Sequence, residues 1–227
     1  MSTAELIESI RSTLRSEGDA ERARGAQAYM KSEMPSYGVR VPEVRRIAKA
    51  AAKDFPPSTP EELRRAVLLL WREAAAREER YAAIDLTGLS MVKDDLLMLP
   101  VYEEIIRTGA WWDLVDGVSH RICALLMAHR TSMTPLLLRW AHDDDLWIRR
   151  AAITAQLGAK SATDTVLLAQ VIEANLADPD FFIRKGIGWA LREYSKTNPD
   201  WVKGFVEENS GAMSPLSTRE ATRLLLR

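Results

Sequence analysis

The feature that most constrains this chain is an internal repeat. Asp145-Leu146-Trp147-Ile148-Arg149-Arg150 is answered by Asp180-Phe181-Phe182-Ile183-Arg184-Lys185, with the two isoleucines 35 residues apart. Each copy runs from an acidic cap through a bulky aromatic-bearing pair, an aliphatic residue and two cations into a helix of small residues. A helix of this kind cannot bury its apolar face alone. Successive helical pairs that stack on one another give each face a partner and build a continuous core.

Periodicity elsewhere is helical. Leu6, Ile7, Ile10 and Leu14 mark an amphipathic helix that opens on a Ser2-Thr3-Ala4-Glu5 capping pattern and ends near Gly18, and Ala20 to Met30 forms a second. A linker with Pro35, Tyr37 and Gly38 precedes a helix that begins around Pro42, where the missing N–H of proline does no harm. Pro60 opens the helix of Leu63, Val67, Leu68 and Trp71, and Arg77–Leu89, Leu96–Ile106, Trp111–Ala128 and Met133–Ala141 continue the series. No run alternates in the manner of a strand. The period and the Asp-x-x-Ile-Arg wording resemble HEAT repeats. The expected fold is therefore all-α, a single curved α-α superhelix of about six HEAT-like helical repeats in one domain, residues 1–227.

Composition narrows the function classes. Of 227 residues, 47% are hydrophobic, enough for a sizeable core, and 31 Lys and Arg against 32 Asp and Glu leave a formal charge of −1. No global basic excess points to nucleic acid, so any polyanion site must be a local patch. The single cysteine, Cys123, sits in an apolar run, has no internal disulfide partner and fits a cytoplasmic location. The N-terminal stretch acquires Arg11, Arg15 and Glu17 without a long apolar run, the pattern of neither a signal peptide nor a membrane span.

The segment Trp111-Trp112-Asp113-Leu114-Val115-Asp116 carries the chemistry. Trp112 and Asp116 are four residues apart, so a helix places an aromatic plate and a carboxylate on one face. Taken alone, such a Trp is ordinarily core, and such an Asp caps a helix or pairs with a basic neighbour.

Three segments together are more specific. This one, Leu146-Trp147-Ile148-Arg149-Arg150-Ala151-Ala152-Ile153 and Phe181-Phe182-Ile183-Arg184-Lys185-Gly186-Ile187-Gly188-Trp189-Ala190-Leu191-Arg192-Glu193-Tyr194 resemble the signature segments of the AlkD-like DNA alkylation repair glycosylases. The similarity extends to Ala28-Tyr29-Met30-Lys31 and Tyr37-Gly38-Val39-Arg40-Val41-Pro42 and covers most of the chain. The resemblance implies an enzyme that removes cationic N3- and N7-alkylated purines from double-stranded DNA without flipping the base, held in the concave face of a HEAT-like solenoid. It puts Trp112, Asp116 and Trp189 on catalytic positions, Tyr29 on a position contacting DNA near the lesion, and Arg150 and Arg192 on DNA-backbone positions. The chain departs from the family pattern at Arg40-Val41-Pro42, where a small polar residue is expected before the proline.

Residue chemistry agrees with such a substrate. An alkylated purine already carries positive charge, so its departure needs little protonation and a general acid is dispensable. The demand is for stabilising positive charge on the deoxyribose and supplying a water. Asp116 as an anion can do either, and the indole faces of Trp112 and Trp189 suit a cationic sugar at about 0.5–2 kcal/mol per contact. Trp189 and Arg192 share a helix face at i and i+3. Arg149 and Arg184, the repeat's own arginines, suit a structural role, whereas Arg150 lies about 100° further round its helix. His120 could orient Asp116, though an exposed or capping histidine is the more ordinary reading; His129 and His142 make no metal-ligand spacing. Gly186-Ile187-Gly188 fits close helix packing rather than a phosphate loop. No metal site and no cofactor is expected, and a monomer suffices. The alternative is a non-catalytic HEAT-like module binding DNA or protein, in which these residues only pack or bind. Burial discriminates: an Asp116 pointing into the core would end the enzyme reading.

Overall fold

The computed structural model describes residues 3–225. Among them every regular element is helical. Fourteen α-helices follow in order: α1 Thr3–Ser16, α2 Ala20–Met30, α3 Val41–Asp54, α4 Pro60–Arg72, α5 Arg77–Leu86, α6 Leu99–Gly109, α7 Trp112–Gly117, α8 Ser119–Ala128, α9 Arg130–Trp140, α10 Leu146–Thr154, α11 Thr165–Glu173, α12 Phe181–Ser195, α13 Pro199–Glu208 and α14 Pro215–Thr222. The cap expected at Ser2 lies outside the described residues.

The chain packs as two compact units, Met1–Val101 and Tyr102–Arg227. In the first, α1 packs on α3 and α4, and α5 on α3 and α4, around Leu6, Ile10, Leu14, Val44, Leu63, Val67, Leu70 and Trp71. Two carboxylates at the start of α5 hold the loop before α3. Glu78 accepts hydrogen bonds from the backbone N–H groups of Tyr37, Gly38 and Val39 and from the Ser36 hydroxyl. Glu79 accepts from Arg11 and from the Tyr37 hydroxyl. Both are buried, and each is stabilised by hydrogen-bond donors that replace the water it gave up. Gly38 sits at φ 78° with Asp19 O only 2.1 Å from where a Cβ would be, so no other residue fits there. By contrast α2 buries no side chain at all.

In the second unit, α7 packs on α10, α10 on α12 and α12 on α14, while α9, α11 and α13 back this row. The repeat caps form as the sequence implies. The Asp145 carboxylate accepts from Trp147 N, and that of Asp180 from Phe182 N and Ile183 N. Arg149 and Arg184 bond the backbone carbonyls of Asp143 and Asp178, with Arg149 also pairing with Asp178 at 2.8 Å, so both serve the repeat's own turns. The glycines of α12 allow close packing: a Cβ on Gly188 would stand 2.4 Å from Glu220 Cβ on α14.

One element differs from the sequence reading. The apolar run from Trp111 to Ala128 is two helices that meet at Val118, which ends α7 and caps α8 at φ −98° and ψ −5°. Gly117, which weakens a helix interior, stands at the break. The consequence is a six-residue α7 that stops one residue after Asp116 and packs against α10.

Candidate active site

Three helix N-termini meet through aromatic rings. Trp111, the residue preceding α7, lies 6.1 Å from Trp147 of α10 and 5.3 Å from Phe182 of α12, and the latter two are 5.0 Å apart, all between centroids. Pinning the starts of α7, α10 and α12 together puts equivalent positions along them side by side. Five residues beyond their caps stand Asp116, Arg150 and Lys185 respectively. The carboxylate at the site thus occupies the register position that the neighbouring repeats fill with cations.

Asp116 and Arg150 use that adjacency. Arg150 Nε donates to Asp116 Oδ1 at 2.9 Å and Nη2 to Oδ2 at 2.7 Å, a two-pronged fork, while Nη1 donates to the carbonyl of Phe182 at 2.5 Å. The guanidinium carbon is 5.9 Å from the centre of the Trp189 ring. Phe182, Gly186 and Trp189 recur at i, i+4 and i+7 and share one face of α12; the bare Gly186 leaves room there for Arg150, whose Nη1 would be 3.2 Å from a Cβ. The Asp116 side chain retains 14% of its exposure and that of Arg150 only 6%. Asp116 therefore points neither into the core nor freely into water. Burial lifts its pKa above the usual aspartate value, the hydrogen bonds and charge of Arg150 pull it down, and the nearby Asp113 lifts it further.

The remaining expected residues fall as follows. Trp112 is half-buried one turn before Asp116 on α7. Trp189 is half-buried on α12. Arg192, three residues on, forms an ion pair with Glu220 of α14, which Lys185 also grips at 2.9 Å. Tyr29 belongs to the other compact unit, where it is 75% exposed on α2. Asp116, Arg150 and Trp189 are thus in mutual reach, with Trp112 on the same short helix as the carboxylate. Arg150, expected as a contact to the DNA backbone, has three of its nitrogens committed to Asp116 and Phe182. His120 is exposed and rests against Gly158, so the group that orients Asp116 is Arg150. The pairing has a signal in the sequence: laying residues 111–116 over 145–150 aligns Leu114 with Ile148 and puts Asp116 at the position of Arg150, with Trp111 at that of the capping Asp145 and Val115 at that of Arg149.

Comparison with known proteins agrees with the fold first. A predicted DNA alkylation repair enzyme from Enterococcus faecalis is similar at a TM-score of 0.83 and 31% identity, covering 92% of this chain and 97% of that one. A crystal structure from Streptococcus mutans UA159 shares the fold at a TM-score of 0.60 and 18% identity, covering 89% and 96%. The family model for DNA alkylation repair enzymes matches residues 10–225, and the chain belongs to that family. No curated protein matches the chain.

Proposed function

We propose that the protein is a DNA glycosylase of base excision repair that hydrolyses the N-glycosidic bond of cationic N3- or N7-alkylated purines in duplex DNA. The observation that carries this reading is the partly exposed Asp116 carboxylate, fixed by the Arg150 fork beside the indole of Trp189. As the bond between C1′ and the base nitrogen breaks, its electron pair leaves with the base, which is thereby neutralised. Positive charge is left on the sugar. Asp116 meets that charge or orients the water whose oxygen bonds C1′ and whose proton passes to the carboxylate or to solvent. Arg150 acts as the positioning residue, holding both carboxylate oxygens in one orientation. The faces of Trp112 and Trp189 add cation–π attraction to the sugar. Such a site acts from the backbone side on a lesion that stays stacked, and bond lability supplies the selectivity. Tyr29 and Arg192 contribute DNA contacts, and one copy of the chain suffices.

The test is release of free 7-methylguanine from methylated duplex DNA by wild type and by Asp116→Asn. Strong loss in the variant with DNA binding retained supports the reading. No release by wild type, on DNA carrying both N3 and N7 lesions, returns the protein to a non-catalytic module that binds DNA or protein.

A further inference from the structure

Lys185 and Arg192 stand seven residues apart on α12, two turns along one face, and their nitrogens converge on the two oxygens of a single carboxylate, Glu220 of α14. The side chains keep 39% and 22% exposure, so the pair is reachable from solvent. Two cations on one carboxylate also hold the Glu220 carboxyl below the usual range, the Lys185 hydrogen bond contributing most. The backbone of Glu220 sits close on α12: its Cβ lies in the space left by Gly188, and the Ser217 hydroxyl bonds the carbonyl of Arg184. Its carboxylate, at the end of two rotatable methylenes, can swing aside.

We infer that Lys185 and Arg192 form a phosphodiester site, and that Glu220 is its built-in competitor, occupying the site until a DNA phosphate displaces it. The geometry suits the exchange: a phosphodiester also offers two anionic oxygens on one centre, and a lysine with an arginine binds either anion by charge-assisted hydrogen bonds. The exchange sets one anion against another, so contact with undamaged DNA gains little net Coulomb energy. That keeps a chain of net charge −1 from adhering to nucleic acid and lets it move along a duplex. The inference rests on the reading that the α12 surface meets duplex DNA, and adds Lys185 and Glu220 to it.

Binding of a fluorescein-labelled undamaged duplex, followed by anisotropy over a series of salt concentrations, tests it. Glu220→Gln keeps the shape and removes the competing charge. It should bind about five- to tenfold more tightly at low salt, with the slope of log K against log salt steeper by about one, the mark of one more phosphate neutralised. Adding Lys185→Ala should abolish the gain. Glu220→Asp, which keeps the charge with a shorter reach, should bind with intermediate affinity and covers the case in which the Gln variant fails to fold. Unchanged or weaker binding by both Glu220 variants, with melting temperatures intact, would overturn the inference and leave Glu220 as a tether for Arg192. Because this duplex carries no lesion, the outcome is independent of base release, and a wild type that binds here but releases no base would sink only the glycosylase reading.

Discussion

Arg150 holds Asp116 by two near-parallel hydrogen bonds of 2.9 and 2.7 Å across neighbouring repeats, with the arginine almost wholly buried and the carboxylate still open to solvent on one side. The asymmetry suits the proposed reaction. A carboxylate that must face a sugar cation needs one free side and a fixed orientation, and a buried partner supplies the second without obstructing the first. Desolvation of the arginine is offset by its third bond, to Phe182 O, and by the Trp189 ring.

Removing the arginine should therefore do more harm than removing the pair. Arg150→Ala leaves a largely buried carboxylate without its partner, and a cost of about 3–5 kcal/mol is expected in chemical denaturation. The double variant Asp116→Asn with Arg150→Gln should regain much of that stability while base release remains lost. Arg150→Lys, which keeps the charge but lacks the planar fork, should fold well and act slowly. Equal base release by Arg150→Lys and wild type would show that orientation of the carboxylate is immaterial.

The pH dependence has a definite sign. Burial, opposed by Arg150 and helped by Asp113, raises the folded-state pKa of Asp116 above its unfolded value. In the proposed reaction Asp116 acts as the anion, so single-turnover release should fall as pH drops through a midpoint higher than that of an ordinary aspartate, and Arg150→Lys should move the midpoint higher still. For stability Asp116 runs the other way, because the folded state holds its proton more tightly and its contribution grows as pH falls through that window. Glu220, depressed by Lys185 and Arg192, behaves oppositely: it contributes stability above the unfolded carboxylate pKa and loses it as pH falls through the lower folded value. An acid limb of release at or below the ordinary aspartate range would show that the Arg150 fork outweighs burial at Asp116.

Tyr29 offers a test free of stability effects. It is 75% exposed on a helix that buries none of its side chains. Tyr29→Ala should change folding stability by no more than about 0.5 kcal/mol. Loss of one contact in the DNA complex should nonetheless lower kcat/KM for methylated duplex by about tenfold, the equivalent of ~1.4 kcal/mol. An unaltered kcat/KM would remove Tyr29 from the DNA interface.

Local chemistry made much of this protein legible from its residues. The 3.6-residue spacing of Leu6, Ile10 and Leu14, the prolines at 42 and 60 and the capping aspartates at 145 and 180 act within a turn or two of chain, and each helix they mark is present. The repeat wording, too, is local, because each capping Asp bonds the backbone N–H two residues on, that of Trp147 or of Phe182. Trp112 and Asp116 on one face required only helical geometry. Tertiary structure decided what those side chains meet. The break at Val118 arises where α7 and α8 follow different neighbours, a choice that the apolar pattern of residues 111–128 does not contain. Which cation holds Asp116 depended on the alignment of α7 with α10, fixed by rings 36 and 71 residues apart in sequence, Trp111 with Trp147 and with Phe182. The family resemblance places Arg150 on a DNA-backbone position; that its guanidinium also forks onto a carboxylate 34 residues earlier is a fact of packing, since Coulomb energy follows distance in space and not along the chain.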